Sequence, residues 1–143
     1  MQDEWLPQET NTHQDHVIAH VVGATVLGHF IADETACLLL DIGFIWTVYL
    51  DGEMGLVPQS MAIAELEVEE ETKAQLREDA RQLQTDASES HLSRFTRAPA
   101  GCLITEVGFA ARDDERRLLV TGEEASLALE TSLTSGDIRI YSI

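Results

Sequence analysis

The first 72 residues contain neither lysine nor arginine. Fourteen aspartates and glutamates stand there unopposed, while residues 73–143 hold all 9 bases against 12 acids. The formal net charge is −17. A surface of that sign repels phosphate backbones, so the expectation is a protein that does not bind nucleic acid. Cysteine is scarce as well, with 2 in 143 residues. Cys37 and Cys102 each lie in an apolar run with no histidine beside them. That excludes a disulfide framework and points to free core thiols in a cytoplasmic protein. No apolar run has the length of a membrane span: residues 17–32 are too short, carry His20 and His29, and have acidic flanks. No basic region precedes an apolar run at the N-terminus, so no signal peptide is expected. GxSxG, HExxH, CxxC and GxGxxG are missing too. Gly23 and Gly28 have the spacing of a phosphate loop without the Lys and Ser or Thr that would hold phosphate and magnesium.

What is present is organised around residues 36–50, ACLLLDIGFIWTVYL. Alternate strand side chains point to opposite faces. One face collects Leu38, Leu40, Ile42, Phe44, Trp46, Val48 and Leu50, all large and apolar. The other collects Cys37, Leu39, Asp41, Gly43, Ile45, Thr47 and Tyr49, a mixed set. Fifteen extended residues would span roughly 50 Å, more than the roughly 37 Å diameter of a compact domain of this size. The segment must therefore bend or break, and Gly43 is where the backbone does so most cheaply. Two strands, or one strand kinked at Gly43, are expected at the centre of a sheet.

The remaining segments read around that centre. Residues 1–15 are polar and predict a flexible tail pinned at most by Trp5. Residues 17–32 are rich in Val, Ile and Thr and read as buried sheet, with helix as the competitor. Asp33-Glu34-Thr35 and Asp51-Gly52 are turn signals, and a short edge strand at Leu56-Val57 is expected to stop at Pro58. Residues 61–68 fit either a strand or a first helical turn. Val68, Thr72, Leu76, Ala80 and Leu83 then recur at helical spacing, with acids early and bases late, which predicts an amphipathic helix over about 69–85. Glu69 and Lys73 form an i,i+4 pair on it. A short second helix is expected between Asp86 and Phe95, and a strand meander from Cys102 to Ile143. The fold class is α+β: an antiparallel β-sheet from both halves of the chain, with the helix at about 69–85 packed on one face. Residues 1–143 form a single domain, large enough to fold without a metal or disulfide.

Candidate chemistry is thin. His13, His16, His20 and His29 cluster in sequence, and His16 and His20 share a face on either a helix or a strand. That spacing supplies two metal ligands, yet a zinc site takes three or four, and ordinary histidines explain the pattern as well. Asp41, flanked by apolar residues near a bend, could act as an acid or base, with Thr47 and Tyr49 on its face. A structural, hydrogen-bonded Asp is the plainer reading. The charged stretch Arg112 to Arg117 reads as a hairpin tip. The composition favours a small acidic, non-enzymatic binding or regulatory protein that acts through protein–protein contact, with no cofactor and no membrane contact. Its partner would be a basic protein or a second copy of itself (a homo-oligomer). The alternative is a small enzyme using a divalent metal at His13, His16 and His20, or acid/base chemistry at Asp41 and Tyr49.

Overall fold

The computed structural model describes residues 4–10, 12–32, 35–42, 44–51, 55–84 and 92–143. The chain opens with β1 (Leu6–Gln8) and α1 (Thr12–Ala19), followed by four strands, β2 (Val26–Ala32), β3 (Thr35–Leu40), β4 (Ile45–Asp51) and β5 (Gly55–Met61). A 3₁₀ turn (Ile63–Glu65) leads into α2 (Glu70–Gln84) and then the two-residue β6 (Thr96–Arg97). The chain closes with β7 (Ile104–Arg112), β8 (Glu115–Gly122), β9 (Leu127–Ser132) and β10 (Ile138–Ser142). The fold is α+β and antiparallel, with α2 on one face.

Each half of the chain builds a sheet of its own. The first sheet runs β5-β4-β3-β2-β6 and the second β1-β7-β8-β9-β10, five strands each. Consecutive strands are joined by short turns, so both are meanders. Each sheet takes one outer strand from the other half: β1 joins the second sheet and β6 the first. Backbone bonds stitch the halves where they meet. Gly23 N–H donates to Ile104 O at 2.8 Å, Ile104 N–H to Ala24 O at 2.8 Å, and Val26 N–H to Cys102 O at 3.0 Å.

The packing follows the parity of residues 36–50. Ala36, Leu38, Leu40, Trp46 and Val48 face the second sheet and bury against Ile104, Phe109, Leu118, Val120, Leu127 and Leu129. Cys37, Leu39 and Ile45 face the other way and are covered by Leu76, Ala80 and Leu83 of α2 together with Leu66 and Phe95. The molecule thus has three layers, sheet on sheet on helix, with a separate apolar layer at each junction. The break falls between Leu40 and Ile45, and β3 and β4 pair as a hairpin with Leu38 opposite Trp46. Gly43 lies outside the described residues. Ile42 belongs to the turn and is half exposed rather than part of the apolar face.

Five expectations are met differently or fall outside the described residues. Residues 17–32 are not continuous sheet, because Val17 to Ala19 complete α1 and the strand starts only at Val26. The buried or half-buried positions Gln14, Val17, Ile18 and Val21 recur at three or four, a helical stripe that the run of branched residues obscures. Gly23, at φ +94, then turns the chain into the strand. β5 runs straight through Pro58, tolerated because β5 is an outer strand whose far side needs no donor. Residues 61–68 are neither strand nor α-helix beyond Met61 but carry the 3₁₀ turn, closed by the Ala62 N–H donating to Glu65 Oε1 at 2.9 Å. Lys73 meets Glu70 rather than Glu69 and donates to Ala64 O at 2.9 Å. The second helix expected before Phe95 falls mostly in residues outside the description, and residues 92–95 are not helical.

Within residues 1–15, β1 pairs with β7, Leu6 opposite Ala111. Trp5 is the pin: the guanidinium carbons of Arg112 and Arg117 each lie 4.4 Å from its ring centroid.

One polar contact of α2 has no counterpart in the sequence pattern. Asp79 is 1% exposed. Its carboxylate accepts from three successive amides: Ser93 N–H at 2.9 Å, Arg94 N–H at 2.6 Å and Phe95 N–H at 2.9 Å. This holds the segment leading into β6 against α2. Replacing Asp79 with Ala leaves those donors unpaired, and hydrogen bonds to a charged group are worth about 1.5–3 kcal/mol each. The expected outcome for Asp79→Ala is a loss of about 3 kcal/mol or more in urea unfolding, with Asp79→Asn intermediate.

Candidate functional site

The sequence candidates do not converge. Asp41 lies just past the end of β3, exposed, and its Oδ1 accepts from Thr25 N–H at 3.0 Å. Its own N–H donates to Thr25 O at 3.0 Å. It is a structural tie between the β3–β4 turn and the start of β2. Tyr49 sits at the other end of β4, opposite Thr35, and lines a small cavity of about 220 Å³ with Cys37, Thr47, Gln59 and Met61. Asp41 and Tyr49 therefore share a sheet but no site. His16 and His20 do meet, ring centroids 4.9 Å apart on the exposed side of α1. The His13 side chain lies outside the described residues. Among the described residues no group of three or more His, Cys, Asp or Glu is arranged to hold a metal. His29 is on β2, away from the α1 pair; burial lowers its pKa, so it is neutral at physiological pH.

Both thiols are buried and unpaired. Burial pushes Cys37 up to about 12 and raises Cys102 as well, the opposite of what a nucleophile requires.

The outer face of the second sheet carries a charge network. Arg117 and Tyr141 both bond Glu130 Oε2, and Arg139 approaches its other oxygen at 3.6 Å. Arg112 holds Glu115 at 3.1 Å. Burial alone would raise the Glu130 carboxyl. The hydrogen bonds from Tyr141 and Arg117, with the charges of Arg117 and Arg139, outweigh it and hold the pKa below the ordinary 4.5.

A further concavity lies elsewhere. A surface groove of about 670 Å³ is lined by Ile31 and its neighbours on β2, Val68 and Thr72 at the start of α2, Ser93 and Arg94, and Ile140 of β10. It sits at the margin where the first sheet ends. β6 pairs with β2 only at Gly28 and His29, and among the described residues no strand continues that pairing along residues 30–32. Val68 and Thr72 form the α2 side of the groove and Arg94 is its charged residue; Glu65, Glu67, Glu69, Glu70 and Glu71, all exposed, are neighbours of Val68 and Thr72 in the chain but do not line it. The nearby base, Lys73, is tied to Ala64 O and Glu70. Arg94 directs its Nε to Gln75 Oε1 at 2.7 Å. Sequence reasoning registered Glu69, Glu70 and Glu71 only as the acidic start of the helix, and the groove is assembled from four separate segments.

No known protein family matches the chain, and neither a curated protein nor a solved structure is similar to it. No helix among the described residues is long and apolar enough to cross a membrane.

Two measurements check these assignments. Neither thiol should react with a thiol-specific disulfide reagent at about pH 8 in the native protein, and both should react on unfolding. Because the folded pKa of Glu130 is depressed, its contribution to stability is fully present above about 4.5 and lost as pH falls through the lower folded value. Glu130→Gln should therefore be less stable than the parent near neutral pH. The two unfolding free energies should converge by about pH 2.

Proposed function

We propose that this chain is a small binding protein whose partner presents basic residues. The observation that carries this reading is the row of exposed glutamates at 65–71, next in the chain to Val68 and Thr72 of the groove. Acids in that density raise one another's cost and are relieved by a cation arriving from outside. The five glutamates outnumber Lys73, which pairs with Glu70 at 3.5 Å, and Arg94, which donates to the neutral Gln75. Apolar patches at Val68 and Ile140 provide the dry contact area that charge alone lacks. The first 72 residues add a field of the same sign, which speeds encounter with a basic partner and disfavours phosphate backbones.

The test is titration of a fluorescein-labelled lysine-rich peptide and its glutamate-rich counterpart, read by anisotropy. The lysine peptide should bind, and its Kd should rise about tenfold or more between about 50 mM and about 300 mM salt. Neutralising Glu69, Glu70 and Glu71 together with Gln should weaken it similarly while leaving the fold intact. Affinity indifferent to salt and to these changes, or preference for the acidic peptide, overturns the reading.

A further inference from the structure

We infer that the partner inserts a lysine side chain into the small cavity beside Tyr49, its stem against Met61, Leu66 and Val68 and its ammonium with the carboxylates of Glu65 and Glu67. This rests on the basic-partner reading above and names the side chain taken and the place that takes it.

The cavity follows from the strand register. Thr35 pairs with Tyr49 and Cys37 with Thr47. Thr47 in turn pairs with Gln59, and Ile45 with Met61. By alternation all of these project from the face of the first sheet that carries Leu39 and Ile45. α2 covers that face at Leu39 and Ile45. Residues 65–68 close over the part nearer Thr35 and Tyr49, leaving about 220 Å³ between. The lining runs from the buried Cys37, Thr47 and Leu66 to the exposed Gln59, Glu65 and Glu67. Tyr49 is 38% exposed.

The chemistry of the lining selects the occupant. Every described residue that lines the cavity lies between 35 and 68, in the part of the chain without lysine or arginine. The cavity therefore has two carboxylates and no base of its own. Lys73, the first base in the chain, donates to Ala64 O and meets Glu70 instead. An anion would be repelled, and a neutral ligand would draw nothing from the carboxylate charge. Further acceptors suit a cation. Thr47 Oγ1 donates to Gln59 O at 3.0 Å and keeps its lone pairs, and the Tyr49 ring offers a π face. Met61, Leu66 and Val68 give the apolar surface along which a lysine stem lies. Pockets for drug-sized ligands begin at about 300 Å³, so this smaller volume matches one side chain. An ammonium is compact, with three rotatable donors, and needs no bidentate acceptor. That favours lysine over arginine where Glu65 Oε1 already accepts from Ala62 N–H at 2.9 Å. Glu65 and Glu67 also belong to the glutamate row at 65–71, so the field that attracts a basic partner extends to the cavity.

The probe is the labelled lysine-rich peptide, titrated by anisotropy at about 50 mM salt against single variants. Glu67→Gln and Glu69→Gln each remove one charge from the same row, but only Glu67 lines the cavity. Glu67→Gln should weaken binding about tenfold and Glu69→Gln only about twofold. Gln59→Trp keeps the charge and fills the cavity from an outer strand, so it should weaken binding about tenfold or more with little change in melting temperature. In the parent complex the NMR resonance of the Met61 methyl should shift, and those of Ile140, in the other groove, should stay. Equal losses in Glu67→Gln and Glu69→Gln with none in Gln59→Trp, or shifts at Ile140 instead of Met61, overturn the cavity and leave the basic-partner reading standing. Failure of the peptide to bind the parent protein overturns both. Butylamine, the stem and head of lysine alone, should compete only at about 1 mM or above. Competition at the peptide's own Kd assigns the cavity to a free amine and overturns the protein side chain as its occupant.

Discussion

Ala36, Leu38 and Leu40 point into one apolar layer and Cys37 and Leu39 into another, and the rest of the chain is arranged to cover both. A strand dry on two faces cannot lie on the outside of a two-layer protein. The second sheet supplies one cover and α2 the other. The order of elements follows from this need: a sheet, a helix that folds back on its far face, then a sheet that closes its near face. The hydrophobic effect sets the layers, and the strand ladders orient them.

Buried charge then decides the details at the margin. Asp79 lies in the stripe of α2 that would otherwise be apolar, and its burial is tolerated because three amides satisfy it. One of those bonds takes the Arg94 amide, which the register would set opposite Ile31. One carboxylate thus holds the crossing segment to the helix. Glu130 plays the comparable structural part on the second sheet, where Arg117, Arg139 and Tyr141 surround it. Four arginines of the C-terminal half (Arg112, Arg116, Arg117 and Arg139) bond acids or carbonyls of their own sheet. Of the glutamates at 65–71, Glu70 meets Lys73 at 3.5 Å.

Local sequence gave a dependable account wherever one period dominates. Val68, Leu76, Ala80 and Leu83 announced α2 within a residue of its ends, and the strand meander expected from Cys102 onward is met by β7 to β10. Residues 17–32 were misread because branched residues favour strand locally while Gln14, Val17, Ile18 and Val21 follow a helical period set by what they pack against. The candidate chemistry was less legible still. His16 and His20 meet, as their spacing allows, but Asp41 and Tyr49 were grouped by parity although they sit at opposite ends of a hairpin.

By itself the sequence determined the α+β class, the alternation that splits residues 36–40 and 45–48 between two faces, the main helix and the uneven charge, because each of these is written in periodicity or composition over neighbouring residues. Only the tertiary structure decided that each half forms its own sheet, that Trp5 locks under two arginines, and that Asp79 captures residues 93–95. Those outcomes join residues far apart in the chain. A pattern of apolar and polar positions says which face a side chain takes, not which distant backbone group will satisfy a buried charge.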